Sequence, residues 1–137
     1  MTISTFFKVY AIALPTFLVI DLLWLGVVAR SFYKEQMGHL MRANVNWAGA
    51  MAFYLVFVAG IVAFVVWPAI ERESLVRALL LGAFFGLVTY SAYDLTNLAV
   101  LEGFPLKLTF VDLAWGTVLC AAVSAITYGA WARFLMN

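Results

Sequence analysis

The sequence predicts an all-α polytopic membrane protein with four transmembrane helices, and three observations support this fold class. Hydrophobic residues make up 66% of the 137 residues and charged residues only 11%, whereas soluble domains have about 45–50% and about 25%. Apolar stretches of the roughly 20 residues that cross a bilayer occur four times. No stretch alternates apolar and polar residues as a barrel strand does. The length fits one domain, residues 1–137, with the lipid bilayer as its surroundings.

The four spans follow one another with short connections. We expect them at residues 6–29, 47–67, 75–101 and 108–131, with connections at 68–74 and 102–107. The first span does not have the features of a cleaved signal peptide, because its apolar run is long, contains Asp21 and ends at Arg30. It should therefore remain in the membrane as a span.

The connection between the first two spans, residues 30–46, is longer than the others and has a helical pattern. Tyr33, Met37, Leu40 and Met41 follow the spacing i, i+4, i+7, i+8, and charged residues lie between them. This pattern predicts a short interfacial helix between spans 1 and 2, lying in the headgroup region. An irregular loop is the alternative.

Four crossings place both termini on one side, which we call side A; the first and third connections lie on side B. Basic residues are divided evenly: side A carries Lys8, Arg72, Arg77 and Arg133, and side B carries Arg30, Lys34, Arg42 and Lys107. The positive-inside rule therefore gives no orientation. An even division is also what a protein that inserts both ways round would have.

All three aspartates fall inside predicted spans, while the four glutamates lie in connections. At about 1.5 Å per residue, Asp21, Asp94 and Asp112 lie within roughly 7–14 Å of the side B boundary. An aspartate near a helix centre costs roughly 2.5–3.5 kcal/mol on insertion scales. Such acids face a bundle interior or a water-filled cavity, and function is the default hypothesis. The alternative is three separate acids, each bonded to a local hydroxyl or carbonyl.

Aromatic and amide side chains share a helical face with each acid, which favours a pocket lined by acids and aromatic rings. Asp94 has the richest surroundings, so we expect Tyr90 and Asn97 to hold its carboxyl group. Trp24 and Trp115 have an alternative role as aromatic anchors at the membrane interface. The predicted ligand-binding residues are Asp21, Trp24, Tyr90, Tyr93, Asp94, Asn97, Asp112 and Trp115.

Other residues limit the chemistry available. The net charge of +1 provides no basic surface, so no nucleic acid partner is expected. The only histidine, His39, lies in a connection, which excludes a Ser-His-Asp or Cys-His arrangement within the spans. The single cysteine, Cys120, excludes a cysteine-based zinc site, and no cofactor or metal is expected. Gly82 and Gly86 are four residues apart, the spacing of closely packed membrane helices.

Several of these residues occur in a characteristic order. The stretches are Asp21-x-x-Trp24, Gly38-His39-Leu40, Tyr93-Asp94-Leu-Thr-Asn97 and Asp112-x-x-Trp115. In them the chain closely resembles a bacterial family of predicted four-span membrane proteins, the domain of unknown function 2177. The resemblance implies a multi-pass helical protein of the bacterial inner (plasma) membrane. It implies no established activity.

Acid chemistry is what the residues leave open: proton binding, cation binding or acid–base catalysis. Our first hypothesis is binding or transport of a proton, a cationic or a polyhydroxylated small ligand in the acid pocket, reached from side B. A homodimer is expected at this size. One alternative is a membrane-embedded enzyme that acts on a lipid or isoprenoid ligand with an aspartate as acid or base. The other is an accessory subunit whose polar helix surface docks on a larger membrane complex.

Overall fold

The computed structural model describes residues 1–136, and its regular structure is helical throughout. Four helices are long and apolar enough to cross a membrane, and a fifth, shorter helix lies in the first connection. This confirms the prediction of an all-α polytopic membrane protein with four transmembrane helices. In chain order the helices are α1 (Ile3–Val28), α2 (Arg30–Met37), α3 (Trp47–Glu71), α4 (Leu75–Val100) and α5 (Leu106–Phe134).

Side-chain caps fix where three of the membrane helices begin. Thr2, Asn46 and Ser74 precede α1, α3 and α4, and each side-chain oxygen accepts a hydrogen bond from the backbone N–H three residues later. Such a cap satisfies one of the four free N–H groups at a helix start. The cap at Thr2 lets α1 begin three residues earlier than the apolar run predicted.

The second membrane helix continues past the proline that was expected to end it. We predicted a connection from Pro68, but α3 runs to Glu71. A π-helical turn at Val62–Val66 widens the backbone immediately before Pro68, which then occupies the first turn of the following α-helical segment. A proline is tolerated there because its missing N–H is not needed. The fourth span likewise extends beyond its predicted bounds, from Leu106 to Phe134.

The helix predicted in the first connection is present as α2, but it is shorter than the pattern suggested. It ends at Met37, and Gly38–Leu40 forms a 3₁₀ turn. Leu40 and Met41 therefore do not share its face, and both side chains are exposed. Its location at the headgroup interface stays a prediction.

Helices α4 and α5 pack most closely, and the two glycines of α4 permit it. A Cβ at Gly82 would lie 2.7 Å from the carbonyl oxygen of Cys120, and one at Gly86 would collide with the carbonyl oxygen of Gly116. The backbones are thus in direct contact, as the small-residue spacing predicted.

Helix α1 completes the core with a stripe that repeats every four residues. Val9, Ala13, Phe17 and Asp21 are all buried, and α1 packs against both α5 and α3. Because residues four apart lie on one helical face, the apolar stripe turns Asp21 into the bundle.

A candidate ligand cavity lined by three aspartates

The carboxyl group of Asp21 joins three membrane helices. Its side chain on α1 is only 4% exposed. Tyr54 of α3 donates a hydrogen bond to Oδ2 at 3.0 Å, and the indole N–H of Trp115 on α5 donates to Oδ1 at 3.1 Å. Both oxygens therefore have a donor, which is what a buried carboxylate requires.

Asp112 of α5 lies in a second hydrogen-bonded chain that holds α2. Tyr33 of α2 donates to Asp112 Oδ1 at 2.5 Å, and the Tyr33 hydroxyl accepts from the indole N–H of Trp24 at 3.2 Å. Burial and the neighbouring Asp112 carboxylate raise the pKa of Tyr33 well above its ordinary value. The phenol therefore keeps its proton at physiological pH and remains a donor to Asp112.

The two tryptophans of these chains stack on each other. The ring centroids of Trp24 and Trp115 are 4.3 Å apart and the planes differ by 7°. The stack links the Asp21 and Asp112 hydrogen bonds through a rigid pair of rings. Both indole N–H groups donate within the protein, to Tyr33 and to Asp21. The alternative role of the two rings as interface anchors stays a prediction.

Asp94 of α4 differs from the other two aspartates. Its side chain is completely buried, and neither carboxyl oxygen has a hydrogen-bond partner in the part of the chain that the structure describes. The expectation that Tyr90 and Asn97 would hold this carboxyl is wrong. Tyr90 packs its ring against Gly116 of α5, where a Cβ would collide with the ring, and against Phe57 of α3. Asp112 is the acidic neighbour of Asp94, so that a proton held by one of the two carboxyl groups can be shared with the other.

The three carboxyl groups line one cavity of about 430 Å³. Among residues 1–136, no Lys, Arg or His lines its wall, which is otherwise mainly apolar and aromatic. A concave, largely apolar site with a few converging polar groups is typical of small-molecule binding. The lining residues are Asp21, Leu25, Tyr33, Met37, Ala50, Phe53, Tyr54, Phe57, Thr89, Tyr90, Tyr93, Asp94, Leu108, Asp112 and Trp115.

The structure brings most of the predicted site residues together and leaves two outside the wall. Asp21, Tyr90, Tyr93, Asp94, Asp112 and Trp115 line the cavity. Trp24 lies behind Trp115, against which it stacks. Asn97 is half-buried and does not contribute to the wall. Their role in ligand binding stays a prediction.

Two tyrosines that hold the aspartates were not among the predicted site residues. Tyr54 is the only hydroxyl-bearing residue between Trp47 and Trp67, and that isolation in an apolar span was a usable signal. Tyr33 appeared only as part of the apolar face of the connecting helix. Its bond to Asp112 spans 79 residues, and no local pattern carries a contact over that separation.

Comparison with protein families agrees with the sequence motifs. The model of a family described as a predicted membrane protein, DUF2177, matches residues 6–129. The chain belongs to the DUF2177 family. No curated protein and no solved structure matches the chain. The matched range includes Asp21, Asp94 and Asp112, so the cavity of this DUF2177 protein lies inside the family's own sequence.

The free acceptor atoms define what the cavity can do. Both oxygens of Asp94 are unpartnered, and Asp112 accepts one hydrogen bond, through Oδ1. Within residues 1–136, no group of three or more His, Cys, Asp or Glu is arranged to hold a metal ion. The site therefore offers carboxyl groups with free hydrogen-bond acceptors to a small molecule or a proton.

Proposed function

We propose that this DUF2177 protein binds a small cationic ligand in the aspartate cavity, as a membrane binding protein or carrier. The observation that carries the proposal is Asp94, a fully buried carboxyl group in the cavity wall without a hydrogen-bond partner. A buried, unsatisfied carboxyl is destabilising. A cationic donor in the cavity would offset that penalty, so binding such a ligand would stabilise the protein.

The composition of the wall supports a cation over a neutral polyol. The carboxyl oxygens of Asp94 and Asp112 that have no partner are hydrogen-bond acceptors. Among the described residues, no basic side chain in the wall competes for them. Phe53, Phe57 and Tyr90 contribute aromatic rings to the same wall, and the faces of such rings attract cations by roughly 0.5–2 kcal/mol. A charged ligand gains from both features, whereas a neutral polyol gains no charge attraction from either of them.

The test is calorimetric titration of the purified protein with three probes that share one alkyl chain: hexylammonium, hexanol and hexyl sulfate. We expect hexylammonium to bind and the other two to bind at least tenfold more weakly, because only the ammonium complements the carboxyl groups. The Asp94→Asn variant keeps the shape and removes the charge, so its affinity for hexylammonium should fall at least tenfold.

Glu102→Gln is the matched control for this titration. It also removes one carboxylate, close to the end of α4, but Glu102 is exposed and not part of the wall. Its affinity for hexylammonium should equal that of the parent protein. Equal binding of all three probes, or full affinity in Asp94→Asn, would show that the cavity does not select for positive charge.

One observation favours a second candidate, an enzyme that acts on a lipid or isoprenoid. Asp94 and Asp112 are neighbours, and a carboxyl pair can divide the roles of acid and base. Comparing the lipids of cells that express the parent protein with those that express Asp112→Asn, by mass spectrometry, would detect such a reaction as a product present only with the parent. An accessory subunit gains no similar support, because the outward side chains of the membrane helices are mainly large and apolar.

Two further features accompany the proposal and stay predictions. The first is location in the inner membrane of a bacterium, as the family resemblance implies. The second is a homodimer, which light scattering of the purified protein in detergent would detect as twice the mass of one chain.

A further inference from the structure

The cavity is covered on side B by helix α2. Tyr33 and Met37 of α2 form part of the wall, and the Tyr33 hydroxyl is bonded to Asp112 and to Trp24. These bonds fasten α2 over the end of the cavity that would otherwise face water. The sequence had suggested access from side B, and that is the side on which α2 contributes Tyr33 and Met37 to the wall.

The exposed lining residues of α3 and α4 indicate that the cavity opens sideways, between these two helices. The two helices contact each other in the half nearest side A, through the turn at Val62–Val66 and the end of α3. The last aromatic contacts between them are those of Phe57 with Phe85, at 5.5 Å, and with Tyr90, at 6.2 Å. From Phe57 towards side B the helices face each other across the cavity.

The residues that flank this opening belong to the wall and to the outer surface at once. Phe53 of α3 is 45% exposed and Tyr93 of α4 is 52% exposed, although both line the cavity. Because α3 and α4 cross the membrane, this outer surface faces acyl chains. Asp94 lies six residues before Val100, the last residue of α4, which is about 9 Å along the axis. The opening is therefore level with the acyl chains of the side B leaflet.

We infer that the ligand is a single-chain amphiphile with a primary ammonium head, which enters from the side B leaflet through the opening between α3 and α4. This inference rests on the proposed function and specifies its ligand. A primary ammonium has three N–H donors, which match the two oxygens of Asp94 and the second oxygen of Asp112. The chain lies along Phe53 and Phe57 and leaves through the opening. A cavity of about 430 Å³ is in the range for one drug-sized molecule, too small for a two-chain phospholipid.

Photolabelling of the full-length protein in lipid nanodiscs tests this inference. The probe is dodecylamine with a diazirine in the middle of its chain, and mass spectrometry locates the labelled residues. We expect label on the wall near the opening, at Phe53, Phe57 and Tyr93. Excess dodecylammonium should remove at least nine-tenths of that label, whereas dodecanol and dodecyl sulfate should leave it. Label on Val56, which is 74% exposed on α3 and not part of the wall, reports bulk lipid and should not be competed.

A matched pair of substitutions tests the route. Ala50 lines the cavity on α3, and Ala52 is an exposed residue on the same helix outside the wall. Ala50→Phe should slow the competed labelling at least fivefold, because the larger side chain narrows the opening, whereas Ala52→Phe should leave the rate unchanged.

The outcomes separate this inference from the proposed function. If ethylammonium, which is water-soluble and has almost no tail, competes as well as dodecylammonium and label concentrates on Met37, the ligand comes from water; cation binding then stands and lateral entry is wrong. If no ammonium competes and Asp94→Asn labels like the parent, cation binding itself is wrong. Equal labelling rates in Ala50→Phe and Ala52→Phe would overturn the route through the opening.

Discussion

At the scale of single residues, two buried aspartates of the same chain are in opposite states. Asp21 accepts two hydrogen bonds from other helices, whereas Asp94 accepts none. A satisfied buried carboxylate strengthens the structure around it, and an unsatisfied one weakens it. The difference assigns Asp21 mainly to the architecture of the cavity and leaves Asp94 available to a ligand.

This difference predicts opposite effects of one substitution. Asp21→Leu should lower the melting temperature, because the Tyr54 hydroxyl and the Trp115 N–H lose their acceptor, at about 1–3 kcal/mol for each buried donor. Asp94→Leu should raise the melting temperature slightly, because an apolar side chain with the same branching replaces an unpartnered buried carboxyl and the cavity beside it has room for the larger methyl groups. Thermal melting of both variants in the same detergent measures the two effects.

The corresponding asparagine variants act as controls for the loss of charge alone. Asp21→Asn keeps an acceptor oxygen, so its loss of stability should be smaller than that of Asp21→Leu. Should Asp94→Leu instead melt well below the parent, Asp94 has stabilising partners in the protein and is part of the framework. Its role in binding would then pass to Asp112.

At the scale of helices, the contact between α4 and α5 leaves no space for a larger side chain at its glycines. Gly86→Ala should lower the free energy of unfolding by about 1–3 kcal/mol, the usual cost of overpacking, because its Cβ would meet the carbonyl oxygen of Gly116. Gly129→Ala on α5 is the control, since a Cβ there has open space. It should be neutral or stabilising by up to about 1 kcal/mol, as alanine is the better helix former. Denaturation of the two variants side by side measures their free energies of unfolding. A Gly86→Ala variant more stable than Gly129→Ala would contradict the prediction.

Helix α2 depends on tertiary contacts in a different way, because it has only eight residues and a helix that short is marginal in isolation. Tyr33→Phe removes its bond to Asp112, so the amides of Arg30–Met37 should exchange with deuterium at least tenfold faster. Tyr10→Phe is the control: it removes the bond of a different tyrosine to the Leu55 carbonyl, far along the chain from α2. Unchanged exchange in Tyr33→Phe would mean that the helix is held by other contacts.

At the scale of the whole molecule, the sequence predicts what the bilayer dictates. Four apolar runs yield four crossing helices because backbone polar groups in lipid must be satisfied within the helix. The common depth of Asp21, Asp94 and Asp112 followed from counting residues back from the side B connections. In the structure all three line one cavity. These inferences need only the local sequence and the distance of each residue along its helix axis.

What the sequence could not supply is the direction of side chains around the bundle. Tyr90 lies one turn before Asp94 on α4, and local spacing favoured it as the partner of that carboxyl. In the structure Tyr90 packs on Gly116 instead, because Gly116 has no Cβ that would collide with its ring. The donors to Asp21 come from α3 and α5, 33 and 94 residues away. Such partners are decided by helix packing, which no residue spacing within one helix encodes.

The orientation of the whole molecule in the membrane gives the last prediction. Side A and side B each carry four Lys or Arg residues, and orientation follows the difference between the two sides. With no difference, two added lysines should decide it. Ser31→Lys with Val45→Lys adds them to the exposed first connection, and Ser4→Lys with Glu73→Lys adds them to exposed positions on side A.

The two double variants should insert in opposite directions. The first places side B in the cytoplasm and the C-terminus outside, and the second places the C-terminus in the cytoplasm. Fusion of green fluorescent protein, or of alkaline phosphatase, to the C-terminus reports these two locations. If both double variants gave the same reporter signal, the Lys and Arg balance would not set the orientation. The leaflet from which the cavity is entered would then be fixed by another feature, such as the order in which the helices insert.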